Sequence, residues 1–483
     1  MWSPVVAALA TVALLAPGYS GDRRPPPEPA RLAWSDCGGR FQCAKLAVPL
    51  DHGEPNGERI QLSVIRLPAT GARIGSLVLN PGGPGGSGVE YAREAQSAVS
   101  PEVRARFDIV GFDPRGVGAS APVKCLDTQH LDAFLALDAT PDDPAEELAL
   151  ERGSREFARG CAARSGKLLQ HVGTVDAARD MDVLREALGE RKLTYLGESY
   201  GTFLGAVYAD LFPGRVRALV LDGAQDPAVS GLRLNTQQAA GFEVALRAYV
   251  KDCLLRGDCP FRSHDMDGAL NELTGLLRRT DRRPLPAGDG RQVTESLAVN
   301  GVLAPLYDRD AWPMLTETLA EAFKGDGTLL LENADSLLGR TAEGYSNETE
   351  AYMAISCVDG AYPRDVPSYA RAAADLSRTA PRFGPNIAWS ALPCAYWPAR
   401  PTFQNHPLKA KGAPPILVVG TRRDPATPYA WARSLAGELE SGVLLTYEGD
   451  GHTAYHNGDT CVDRAVDHYL ITGEAPKNGT TCS

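Results

Sequence analysis

Residues 193–205 read LTYLGESYGTFLG. An apolar, strand-like run ends in glycine, one serine stands between two glycines, and the apolar residues then continue at helical spacing through TFLGAVYADLF. Gly197-Glu198-Ser199-Tyr200-Gly201 fits G-x-S-x-G, the sharp strand-to-helix turn that pushes a serine hydroxyl outward. Glycine suits both flanks because so tight a turn brings backbone where a Cβ would clash. The pentapeptide alone is weak, since Gly and Ser are common; the strand before it and the helix after it supply the context. Ser199 is therefore expected at the carboxyl end of a sheet and the start of a helix.

Working outward, short apolar runs bounded by Gly, Pro or Asp alternate with helical stretches. The runs are IQLSVIRL (60–67), GSLVLN (75–80), FDIVGFD (107–113), LTYLG (193–197) and VRALVLDG (216–223), and DAARDMDVLREALG (176–189) repeats apolar residues on one helical face. Such alternation implies an α/β fold, a mostly parallel sheet with helices on both faces. From about residue 230 to 395 the sequence turns helical, and strand-then-loop patterns return at PPILVVGTRRD (414–424) and GVLLTYEGDGH (442–452). A helical insertion that interrupts the sheet is the simplest account. The chain thus divides into a core first part (34–228), a helical cap (229–395) and a core C-terminal part (396–483).

A serine needs a base, and the base needs a carboxylate to orient it. Strand ILVVG runs into TRRDP and offers Asp424; strand LLTYE runs into GDGH and offers His452. Asp222, closing LVLDG, is the alternative acid, and His456 and His468 are the competing histidines. His452 and His456 have helical metal-ligand spacing, but no HExxH glutamate accompanies them, so no metal site is expected. The reaction also needs two amides aimed at a developing oxyanion. PGGPGGSG (81–88) directly follows a strand and lacks the Walker lysine and the GxGxxG spacing of a phosphate loop. Gly83 is the preferred donor, with Gly82 nearby and the Tyr200 amide as the second. FDPRGVGAS (112–120) is expected to pack beside this loop as scaffold, with Arg115 holding backbone or Asp113. No cofactor is required.

The net charge of −11 and the lack of a Lys/Arg stripe exclude nucleic acid as a partner. The apolar stretch Val5–Ala16, broken by Pro17 and Gly18, is too short to span a bilayer and reads as a signal peptide ending near Ser20 (1–20). A proline-rich linker (21–33) follows, and no stable membrane association is expected after the leader is removed. Ten cysteines, an even number with no CxxC spacing, fit an oxidising compartment and a secreted, extracellular protein. Connectivity cannot be deduced from sequence; the expectation is pairing of neighbours, Cys37–Cys43, Cys125–Cys161, Cys253–Cys259, Cys357–Cys394 and Cys461–Cys482. The oligomeric state is not legible.

With these pieces in place, the ordered set NPGGPGGSG, FDPRGVGAS, GESYGTFLG, LDGAQDP, AISCVDG, PCAYWP, GTRRDPATP and GDGH resembles the secreted tripeptidyl aminopeptidases of actinomycetes, α/β-hydrolases related to prolyl aminopeptidases. The motifs span roughly residues 35 to 482. Two departures stand out: Glu198 replaces a small residue, and the leader lacks a positive charge. The resemblance implies an α/β-hydrolase fold with an inserted helical cap, and hydrolysis that releases tripeptides or other short peptides from a substrate with a free N-terminus. Holding an α-ammonium away from water calls for a carboxylate. Candidates are Glu198, Glu350 and Asp359, the last two flanking AYMAISC, with Glu348 and Asp222 also in the region. Trp389, Tyr396 and Trp397 either line a pocket or pack core. The residues alone stop at acyl transfer to water, which leaves open an esterase or lactone hydrolase with the same triad, or a binding protein that retained the scaffold.

Overall fold

The structure, a computed structural model, describes residues 32–483. The expected signal peptide and nearly all of the proline-rich stretch lie outside the described residues. Ten strands form one sheet: β1 (Ser35–Asp36), β2 (Gln42–Pro49), β3 (Arg59–Leu67), β4 (Gly75–Asn80), β5 (Phe107–Phe112), β6 (Leu193–Glu198), β7 (Val216–Asp222), β8 (Ile416–Arg423), β9 (Gly442–Asp450) and β10 (Thr480–Cys482). Their order is 1-2-3-5-4-6-7-8-9-10. β1, β2, β3 and β5 pair antiparallel, and every pairing from β5 across to β10 is parallel. The sheet is therefore mostly parallel, with an antiparallel N-terminal edge that the sequence pattern indicated only at residues 60–67.

The strands read as continuous apolar runs because both faces are covered. Alternate side chains enter opposite layers, as the two-residue period of a strand requires. Val78, Val110, Tyr195 and Val418 face the layer that includes helices Thr174–Ala187 and Tyr200–Leu211, with Met181, Leu184, Phe203 and Val207 opposite. Leu77, Leu79, Ile109, Leu196 and Val419 face helices Pro101–Arg106 and Thr460–Thr472, with Val103, Val462, Val466 and Tyr469.

Between β7 and β8 the chain builds a helical region with its own core. Phe242, Leu246, Leu273, Val302, Leu315 and Phe383 are among the residues that close it. Leu150, from the long helix Pro144–Ser165 between β5 and β6, joins this core. The helix Glu348–Asp359, placed in the cap by the sequence pattern, does not: Ala351, Ala354, Ile355 and Val358 pack with the sheet domain. Its apolar face is matched to the sheet-domain layer, so the inserted segment is not uniformly cap. Trp389 stacks on Tyr369 within the cap core, and Trp397 is buried in the sheet-domain core.

The ten cysteines come together as Cys37–Cys43, Cys125–Cys161, Cys253–Cys259, Cys357–Cys394 and Cys461–Cys482. The first joins the loop after β1 to β2, and the last joins helix Thr460–Thr472 to β10. Among the described residues no helix is long and apolar enough to cross a membrane.

Candidate active site

Ser199 follows β6 directly and caps the helix Tyr200–Leu211, with φ 55° and ψ −124°. A side-chain-bearing residue adopts this region only when its surroundings hold it there. The Ser199 amide donates to the Asp222 carbonyl at 2.9 Å, and the Ser199 carbonyl accepts from the Thr202 amide at 2.9 Å. Gly82, at φ +94°, presses against the same turn: a Cβ there would lie 2.5 Å from the Glu198 carbonyl oxygen and 2.8 Å from Ser199 Cβ.

Asp424 follows β8, and His452 lies just past β9. His452 Nδ1 is 2.9 Å from Asp424 Oδ1 and 3.0 Å from Oδ2. The carboxylate is already fixed, because Oδ1 accepts from the Ala426 and Thr427 amides at 2.9 and 2.8 Å and Oδ2 accepts from Thr427 Oγ1 at 2.9 Å. The His452 amide donates to the Tyr307 carbonyl at 2.6 Å. Among the described residues, His452 Nε2, the ring nitrogen a serine hydroxyl would use, is buried without a hydrogen-bond partner. Burial pulls this imidazole down, but the charge and hydrogen bond of Asp424, then the charges of Asp222 and Glu198, outweigh it and raise the pKa above the ordinary histidine value.

Asp222, the alternative acid, does not reach Nδ1. Its oxygens accept from the Ala454 and Tyr455 amides at 2.9 and 2.8 Å, so it holds the loop that follows His452. His456 donates its amide to Asp463 Oδ1 at 2.8 Å, and residues 452–456 are not helical, which removes the metal-ligand spacing. His468 sits exposed on the helix Thr460–Thr472.

Gly83 lines the same cleft as Ser199 and Tyr200. The Gly82 amide is occupied by Asn80 Oδ1 at 3.0 Å, which leaves Gly83 as the donor candidate of the glycine loop. Beside this loop, Asp113 Oδ1 accepts from Ser87 Oγ at 2.6 Å and Asp113 Oδ2 from the Ala119 amide at 2.9 Å. Arg115 is scaffold that holds backbone, the first of the two roles expected of it. It holds Asp180, not Asp113, with Nε and Nη2 each 2.7 Å from a carboxylate oxygen, and it also donates to the Leu50, Pro49 and His171 carbonyls.

A cleft open to solvent lies over Ser199. One wall comes from Tyr352, Ser356 and Asp359 on the helix Glu348–Asp359, and the other from Gly231, Leu234 and Gln238. Of the three carboxylates singled out from sequence, only Asp359 lines it. Glu350 is turned away; its Oε1 accepts from the Cys125 and Leu126 amides at 2.6 and 2.9 Å, a clamp on backbone and not a substrate contact. Glu198 does not line the cleft either; burial, followed by the nearby charge of Asp222, pushes its carboxyl up to about 7. Trp389, Tyr396 and Trp397 are absent from the lining. The sequence reading missed Thr427, which supports Asp424, and Asn347, whose side chain bonds the Gly116 carbonyl at 2.7 Å and the Gly118 amide at 2.8 Å. Nothing local marks Asn347. TRRDPAT does place Thr427 three residues after the acid, a spacing that lets a hydroxyl turn back onto the carboxylate.

Comparison with known proteins gives this geometry its relatives. Residues 75–310 match the alpha/beta hydrolase fold family and residues 380–482 match the family described as TAP-like protein. Serine protease Hip1 of Mycobacterium tuberculosis is 39% identical over 508 residues, covering 99% of this chain and 96% of the relative. Tripeptidyl aminopeptidase of Streptomyces lividans is 36% identical, covering 94% and 87%, and Carboxylesterase B of Mycobacterium tuberculosis is 37% identical, covering 92% and 86%. Among solved structures, proline iminopeptidase of Mycobacterium smegmatis aligns with a TM-score of 0.36 at 15% identity, covering 88% of this chain and 97% of that chain. With relatives of this identity along nearly its whole length, the chain is a serine hydrolase of the α/β-hydrolase fold and belongs to the TAP-like family.

Proposed function

We propose that the protein is a secreted serine peptidase that cuts near a substrate's free N-terminus and releases tripeptides or other short peptides. The observation that carries the reading is the Asp424–His452 pair, together with a serine held in a strained elbow in the lining of the cleft. His452 takes the proton from Ser199 as the hydroxyl attacks the scissile carbonyl. Asp424 fixes the tautomer and stabilises the imidazolium. The Gly83 and Tyr200 amides receive the oxyanion, His452 then protonates the leaving amine, and water clears the acyl-enzyme with the roles reversed. Relatives named serine protease and tripeptidyl aminopeptidase support peptide as the substrate, and the five cystine pairs support an oxidising, extracellular location.

A second reading, ester hydrolysis by the same residues, is favoured by the relative named Carboxylesterase B. Fold and triad do not fix the leaving group. The test compares a chromogenic tripeptide amide with a free amine against a short-chain ester, using the native protein and Ser199→Ala. Fast release from the amide, lost in the variant with the fold intact, is the expected result. Turnover of the ester alone would overturn the peptidase reading, and activity retained in Ser199→Ala would overturn the nucleophile.

A further inference from the structure

Among the described residues, the lining of the cleft holds one carboxylate. Asp359 ends the helix Glu348–Asp359, and Tyr352, Ser356 and Asp359 fall at i, i+4 and i+7, on one face of that helix. The remaining lining residues named for the cleft, Ser199 and Thr427 among them, carry no formal charge in their ordinary states. Asp359 is only 8% exposed.

Its immediate partners are uncharged. Oδ1 accepts from the Thr174 amide at 2.7 Å and Oδ2 from Thr174 Oγ1 at 2.5 Å. Thr174 Oγ1 also meets the hydroxyl of Tyr200, the residue after Ser199, so a chain of hydrogen bonds ties this carboxylate to the elbow. An ionised carboxylate has about four acceptor positions, and Thr174 uses two. Burial, the largest influence, pushes the acid up to about 7; the hydrogen bonds from Thr174 oppose this, and the nearby charge is Asp176, of the same sign. The carbonyl end of the helix adds further negative potential at the same spot. A negative centre this enclosed, fixed by neutral donors and facing a cleft, is built to receive a cation from the substrate.

Resting on the peptidase reading above, we propose that Asp359 receives the substrate's α-ammonium. An N-acylated peptide brings no charge to this end of the cleft and leaves the carboxylate unpaired. Glu350, spent on the Cys125 and Leu126 amides, and Glu198, outside the cleft, are excluded from the role.

The test measures kcat and KM for the native enzyme and Asp359→Asn on an Ala-Ala-Pro chromogenic amide and its N-acetyl twin. The native enzyme should prefer the free amine. The variant should lose about a hundredfold in kcat/KM on that substrate, mainly through KM, and change little on the acetylated one. Equal losses on both twins would mean that Asp359 only supports structure, and would overturn the proposal. A second measurement needs no variant: the free tripeptide Ala-Ala-Pro should inhibit the native enzyme about a hundredfold better than N-acetyl-Ala-Ala-Pro. Equal inhibition overturns the anchor. Amide cleavage without preference for a free amine overturns the anchor alone; ester cleavage without any amide cleavage overturns the peptidase reading and the anchor with it.

Discussion

Glu198 and Asp222 are register partners on the adjacent strands β6 and β7, and both carboxylates act on the imidazole of His452. A third acid, Asp424, holds its Nδ1. The base thus has more acidic groups acting on it than an orienting acid alone supplies.

Removing one of them should therefore be visible in the pH profile. A general base must be neutral, so activity falls as acid protonates His452. Glu198→Gln leaves Asp424 and Asp222 in place but withdraws a carboxyl that, pushed up to about 7, favours the imidazolium where it is ionised. The acid limb of kcat/KM should move to lower pH, measured with the same chromogenic amide from pH 5 to 9. An unmoved limb would show that Glu198 does not sense the base.

Stability should also depend on pH. The carboxyls of Glu198, Asp359 and Glu295 are each pushed up to about 7, chiefly by burial. A folded state that holds these protons more tightly than the unfolded chain is most favoured below the ordinary carboxylate range, and loses that advantage as pH rises toward 7. The raised His452 acts in the same direction. Thermal melting should occur at lower temperature at pH 8 than at pH 5. Glu295→Gln, which is not among the cleft-lining residues, should narrow the difference without altering turnover.

Gly82→Ala should damage catalysis through geometry alone. The new methyl would meet the Glu198 carbonyl, Ser199 Cβ and the Tyr200 amide together, at a φ that alanine resists. Displacing a nucleophile and an oxyanion donor by even 1 Å can cost about a hundredfold in kcat. Active-site titration with a fluorophosphonate should show slowed labelling of Ser199 in a folded protein.

Arg115→Met should destabilise without touching the cleft. Arg115 is fully buried, and its loss would leave the Asp180 carboxylate with His52 as its remaining ring partner and free three carbonyls. Breaking such a buried pair from one side costs about 3–5 kcal/mol. Chemical denaturation should register the loss, while kcat at low temperature stays near the native value.

The legible part of the molecule is the part whose signals are local. Ser199, Asp424 and His452 each stand at a strand end, marked by a glycine or proline and by an apolar run before it, so their positions could be read one at a time. The supports could not. Asp180 lies 65 residues from Arg115, Glu350 lies 225 from Cys125, and Asn347 lies 231 from Gly116, and no periodicity links such partners. The same holds for the helix Glu348–Asp359. Its pattern says helix, but only the tertiary structure says that its apolar face belongs to the sheet domain. That attachment is also what separates Asp359 from Glu350, two acids nine positions apart that the sequence treats alike.

The two margins of the large sheet share a device. At one margin β1 is two residues long and runs into the Cys37–Cys43 bridge; at the other, β10 is three residues long and carries one half of Cys461–Cys482. Unpaired strand edges are templates on which another chain can add, and short, pinned edges deny them that opening. Each margin of the sheet thus ends in a short strand anchored by a cystine, a matter of solubility and handling that is separate from the chemistry at Ser199.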